Sequence, residues 1–201
     1  MIRMDSVYLK RGAKNIYSDL NLWVKENEKV LISGKSGIGK TTLFKVLLGF
    51  ETIDQGSVLF NNHNIAKEHI KTIRQQIFYL SQDVDLQDEK VTNLLDLIWE
   101  QNLLKNRNHQ LSELLSFLEL NSKILEQTVN ELSGGERQRI GLLICFFLNR
   151  PVWLLDEPTS ALDDTMKKKI AEFVLKQDKT VVIISHDTVW KTDHKIKIES
   201  W

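Results

Sequence analysis

The chain has 201 residues, and its 27 Lys plus Arg balance 27 Asp plus Glu, so the formal net charge is zero. That length suits one domain, or a domain carrying an inserted lobe, and it buries a substantial core without staples. A neutral balance excludes a global field that draws nucleic acid or an anionic membrane surface, so any such binding has to be local.

The N-terminus "MIRMDSVYLK" alternates apolar and polar residues and lacks a signal-peptide pattern. "SVYL", "LNLWV" and "GSVLF" have strand-like patterning, and "KVLIS" is a short apolar strand. Residues 40–48, "KTTLFKVLL", form a helix for which Gly49 is a natural C-cap. From about residue 90 the character changes. "VTNLLDLIWEQNLL" and "HQLSELLSFLEL" space their leucines at helical intervals, and "GERQRIGLLICFFL" follows as a third helix. Its longest apolar run, residues 140–148, is too short to cross a bilayer. The single cysteine, Cys145, lies in that run, forms no internal disulfide and reads as a small core hydrophobe in a reducing cytosol. "VWLLDEP", "TMKKKIAEFVLKQ" and "TVVIISHD" then read as strand, helix, strand, with Lys167–Lys169 on a solvated helix face, and "DHKIKIESW" reads as a final strand. Buried strands alternating with helices imply an α/β core with a mostly parallel sheet. The expected organisation is a core of about residues 1–83 and 146–201, with a helical subdomain of about 84–145 inserted into it.

"GKSGIGKT", residues 34–41, fits G-x-x-x-x-G-K-[ST] between a strand and a helix, the context this phosphate-binding loop requires. Gly34, Gly37 and Gly39 let the backbone wrap an anion, while Lys35, Ser36, Ile38 and Thr42 complete the loop and helix start whose N–H groups converge on phosphates. Lys40 is placed to reach the β- and γ-phosphates, and the Thr41 hydroxyl to ligate Mg²⁺. Asp156 and Glu157 close an apolar strand at its carboxyl end, where α/β proteins bind ligands. Asp156 suits the Mg²⁺ shell and Glu157 suits an attacking water. His186 ends the next strand, within reach of a γ-phosphate or that water. A second anion cradle, "LSGGE", presents Ser133, Gly134 and Gly135 at a helix N-terminus in the helical lobe. Two copies of the chain arranged head to tail would let each LSGGE cap the nucleotide held by the other copy's loop.

These motifs together closely resemble the nucleotide-binding subunit of ATP-binding cassette (ABC) transporters. "GKSGIGKT" resembles the family's Walker A, "VWLLDE" its Walker B and "LSGGE" its signature sequence. Gln82 in "IFYLSQD" matches the Q-loop glutamine, "SALD" at Ser160–Asp163 the D-loop, and His186 the switch histidine. The resemblance implies a P-loop NTPase core with an N-terminal antiparallel β subdomain and the inserted helical subdomain. It implies an ATP- and Mg²⁺-dependent ATPase with Glu157 as base, His186 on the γ-phosphate, and Gln82 sensing metal and water. Ser133 and Gly135 are expected to reach the partner's nucleotide across an ATP-dependent homodimer. Expected partners are a second copy and a separate integral membrane permease, on a cytoplasmic membrane face, with no nucleic acid.

The family's adenine-stacking aromatic has no direct counterpart: Arg11 stands at its position, with Tyr8 and Tyr17 nearby. Permease docking falls on residues 83–104, where Leu86, Leu97 and Trp99 are the apolar candidates and Trp99 is the expected exposed aromatic. "DLIWEQNLLKNRN" is similar to the short ATPases of a small metal-export group. His63 and His69, without further ligands, read as surface residues. The rivals are a non-transport ABC ATPase of ribosome or DNA, disfavoured by one cassette and no coiled coil, and a module that binds ATP without hydrolysing it.

Overall fold

The computed structural model of the chain describes residues 1–65, 69–102, 107–191 and 196–200. β1 (Ile2–Arg11) and β2 (Lys14–Val24) form an antiparallel hairpin, followed by β3 (Lys29–Ser33) and α1 (Lys40–Leu47). Next come β4 (Gln55–Phe60), β5 (His63–Asn64), α2 (Ile70–Gln76) and β6 (Ile77–Leu80). α3 (Val91–Asn102), α4 (Arg107–Phe117) and two short 3-10 turns lead into α5 (Gly134–Leu148). β7 (Val152–Asp156), α6 (Asp164–Lys176), β8 (Thr180–Ile184) and β9 (Ile196–Ser200) complete the described chain.

The strands form two sheets. One is antiparallel, in the order β2-β1-β4-β5, and the other has the order β6-β7-β8-β3-β9 with every described pairing parallel. Successive side chains of a strand point to opposite faces, and the parallel strands use both. Val30, Ile32, Leu154, Val182 and Ile184 face α1 and the antiparallel sheet. Leu31, Trp153, Leu155, Val181 and Ile183 face a second core that joins α3, α5 and α6. Burial on both faces explains why these strands read as continuous apolar runs.

Helix ends follow their capping chemistry. Ser133 caps α5 in a capping box with Glu136, and Asn149, at φ +47°, ends it in the left-handed conformation. Asp163 accepts the Thr165 and Met166 N–H groups at the start of α6. Gly49, at φ +66°, follows α1 as expected. α5 runs unbroken to Leu148, so the expected lobe boundary at residue 145 falls inside one helix. Cys145 is fully buried, and burial pushes its thiol well above the ordinary range. No described helix is long and apolar enough to cross a membrane.

Candidate functional site

β3 delivers the chain at its carboxyl end into the glycine loop, and α1 begins at Lys40. Gly39 turns at φ +106°, and a Cβ there would meet Ile16 Cγ2 at 2.7 Å, so conformation and space both demand glycine. Tyr17 lies beneath this turn with its hydroxyl donating to the Gly39 carbonyl at 2.7 Å. Its ring is buried, and burial raises the phenol further above its ordinary value. Lys40 is 8% exposed, and its Nζ donates to the Gly34 and Lys35 carbonyls at 2.7 and 2.9 Å. The cation is thus already folded over the loop that phosphates would fill. Lys14 adds a second tie, from Nζ to the Gly37 carbonyl at 2.8 Å.

Acidic groups close the other side. The Thr41 hydroxyl donates to Asp156 Oδ2 at 2.7 Å across 115 residues of sequence. Asp156 is 1% exposed at the end of β7, and burial pushes its carboxyl up, offset in part by the Thr41 hydrogen bond and by Lys40. A buried hydroxyl and carboxylate, both hard oxygen donors, fit Mg²⁺. Glu157 follows with φ +48°. Its Oε2 accepts from the Ser185 hydroxyl at 3.1 Å and the His186 N–H at 3.4 Å, and His186 Nε2 stands 3.8 Å from Oε1.

The loop and the acidic groups meet in one cleft of about 540 Å³, though Gly34, Lys35 and Ile38 of the loop do not line it. Ser36, Gly37, Gly39, Lys40, Thr41 and Thr42 line it together with Gln82, Asp156, Glu157 and His186. Ile16, Ser160, Lys167 and Asp187 also line it. Among the described residues, Ser133, Gly134 and Gly135 do not line that cleft. Ser133 and Gly134 are exposed, and the Ser133 hydroxyl donates to Glu136 Oε2 at 2.6 Å, which holds that carboxyl below its ordinary value.

Two expectations change, at Trp99 and Lys167, and the three adenine candidates take strand positions. Trp99 is 4% exposed, with its ring 4.9 Å from that of Phe147, and the exposed large apolar side chain of α3 is Leu97. Tyr17 is a strut under the loop and has no free face for adenine. Arg11 is paired with Glu51 and the Thr52 carbonyl and, like Tyr8, does not line the cleft, whose apolar wall near the loop is Ile16. Lys167 is drawn partly inward, its Nζ donating to Asp187 at 2.8 Å, while Lys168 beside it is exposed. His63 and His69 are both exposed, and no group of three or more potential metal ligands occurs among the described residues. Residues 103 and 104 of the docking stretch, and 103–106 of the metal-export-like stretch, lie outside the described residues.

Sequence reasoning missed Ile16, Lys14, Lys167 and Asp187. Only Asp187, adjacent to His186 at the strand end, carried a signal in the sequence. The others arrive from the hairpin and from α6, distant in sequence.

The family profile described as "ABC transporter" matches residues 17–160, more than half of the chain. The probable iron export ATP-binding protein FetA of Escherichia coli strain K12 is 32% identical over 194 residues, covering 93% of this chain and 85% of that protein. The ATP-dependent lipid A-core flippase of Methylobacillus flagellatus is 34% identical over 182 residues, and the match covers 84% of this chain but 30% of the flippase. Among solved structures, a dimeric ATP-binding cassette in a post-hydrolysis state with ADP and Pi superposes with a TM-score of 0.82 at 27% identity, covering 98% of this chain and 94% of that one. The chain belongs to the ABC transporter family, as its ATP-binding and ATP-hydrolysing cassette.

Proposed function

We propose that two copies of this chain pair head to tail around ATP, each LSGGE completing the other's phosphate cleft, and that the pair drives a separate membrane permease. The observation that carries this reading is a complete phosphate cleft and an exposed second anion cradle that does not line it, on one chain. Lys40 exchanges the Gly34 and Lys35 carbonyls for the β- and γ-phosphates. Thr41, Asp156 and Gln82 would hold Mg²⁺, which when bound would offset the phosphate charge. Glu157 orients the attacking water and accepts its proton, while His186 steadies the γ-phosphate. Ser133, Gly134 and Gly135 present their donors to the partner copy's nucleotide.

Gln82 also lines a second cleft of about 520 Å³ with Asp83, Asp85 and Leu86. This face, with Leu97 nearby in sequence, is the docking site for the permease on the cytoplasmic side of a membrane. The substrate is a metal ion, a reading supported by the name of the E. coli relative and by residues 96–108. Selectivity belongs to the permease.

Glu157→Gln is expected to cut MgATP turnover at least about 100-fold, while leaving an ATP-dependent dimer on size-exclusion chromatography. Parental turnover, or a monomer at saturating MgATP, would contradict the reading. The tagged variant, drawn with MgATP from detergent-solubilised membranes of its native cell, should retain a polytopic membrane protein. Ribosomal or DNA-repair proteins in its place would move the chain to the non-transport class.

A further inference from the structure

We infer that Gln138 is a positioning residue for hydrolysis: from inside α5 it fixes the turn that aims the Glu157 carboxylate into the phosphate cleft. Gln138 is 2% exposed, and both ends of its amide serve one short segment. Its Nε2 donates to the Glu157 carbonyl at 2.8 Å and lies 3.4 Å from the Ser160 hydroxyl. Its Oε1 accepts the Ala161 N–H at 2.9 Å. No other described residue of α5 makes a side-chain hydrogen bond to that segment.

The segment needs such a clamp. Glu157 has φ +48°, a left-handed conformation that a residue with a Cβ holds only when its surroundings impose it. From the sheet side, the Glu157 N–H donates to the Ile184 carbonyl at 2.8 Å. From within the turn, the Ser160 hydroxyl reaches the Glu157 carbonyl at 3.1 Å. Gln138 supplies the hold from the opposite side, and Gly135 in the same helix packs so closely that a Cβ would stand 3.0 Å from the Ala161 carbonyl. Relaxing Glu157 toward extended backbone redirects its Cα–Cβ bond and withdraws the carboxylate from Ser185 and His186. Phosphate binding through Lys40 and Thr41 does not pass through this turn. Loss of the clamp therefore acts on the chemical step and spares ATP affinity.

The chemistry also sets which replacement fails. Leucine can neither donate to the Glu157 carbonyl nor accept from Ala161. Glutamate, nearly the same shape, accepts from Ala161 but, when ionised, places a carboxylate against the Glu157 carbonyl. The inference rests on Glu157 as the base of the proposed function.

The test compares Gln138→Leu and Gln138→Glu with Glu157→Gln, reading kcat and KM for MgATP, affinity for a non-hydrolysable ATP analogue, and thermal melting. Both Gln138 variants should lower kcat at least about tenfold, with KM and analogue affinity within about twofold of the parent. Parental kcat in a folded Gln138 variant, beside an inactive Glu157→Gln, overturns the positioning role and leaves the base intact. Analogue affinity falling in step with kcat marks a merely structural role and overturns it too. Turnover retained in Glu157→Gln removes the base itself, and the inference with it.

Discussion

Asp187 shows how one side chain can tie the cleft to the fold. It accepts from Lys167 at 2.8 Å and from the Thr159 hydroxyl at 2.6 Å, and Trp190 Nε1 donates to that same hydroxyl at 3.2 Å. Burial raises the Asp187 carboxyl, but Lys167, Thr159 and the nearby His186 outweigh it, and the carboxyl lies below its ordinary 3.8. A folded-state pKa below the unfolded one stabilises the fold above the unfolded value, and that stability is lost as pH falls through the folded value. Asp187→Asn should therefore lower the Tm at about pH 7, and the gap to the parent should close as pH falls below about 4. Thermal melts across that range check it, and a gap of constant size would show that the ionised pair contributes nothing. Lys167 was expected on a solvated face because three lysines in a row suggest one. The acceptor that draws it inward is 20 residues away in sequence and reaches it only through the fold.

At the scale of elements, α3 shows what periodicity does and does not say. Val91, Leu95 and Trp99 recur at intervals of four, and together with Leu94 they make the buried stripe of the helix. Leu97 lies off that stripe and is exposed. Trp99 is expected as the exposed aromatic of the docking stretch, yet the spacing already puts it on the stripe. Trp99→Ala removes a core side chain packed on Phe147 and should destabilise by about 3–5 kcal/mol, measurable by urea unfolding. A loss below about 1 kcal/mol would place the ring outside the cooperative core. In α5 the legible part was its start at Ser133 and the two glycines, which the structure closes with a capping box to Glu136. Gln138 gave no such signal, because its partners at Glu157, Ser160 and Ala161 belong to another motif and meet it only when α5 packs beside the β7 turn.

For the whole molecule, the head-to-tail arrangement makes a prediction that a site complete in one chain does not. Ser133→Arg and Glu157→Gln should each be nearly inactive alone, one lacking a working signature and the other its base. Mixed in equal amounts, half of the dimers pair unlike chains, and each of those contains one site with both an intact cleft and an intact signature. With independent sites and random pairing, turnover should recover to about a quarter of the parental value. No recovery despite mixed dimers on native mass spectrometry would place each signature against its own cleft. Amino-acid order alone determined the α/β class, the glycine loop, the Asp156–Glu157 strand end and the cradle at Ser133, because turn, cap and strand signals are local and depend on neighbours a few residues apart. Tertiary structure decided that Thr41 meets Asp156, that Tyr17 supports Gly39, that Lys167 turns inward and that Gln138 grips the turn at Glu157. Those are contacts between distant segments, and they exist only once the parallel sheet has brought the ends of β3, β6, β7 and β8 to one edge.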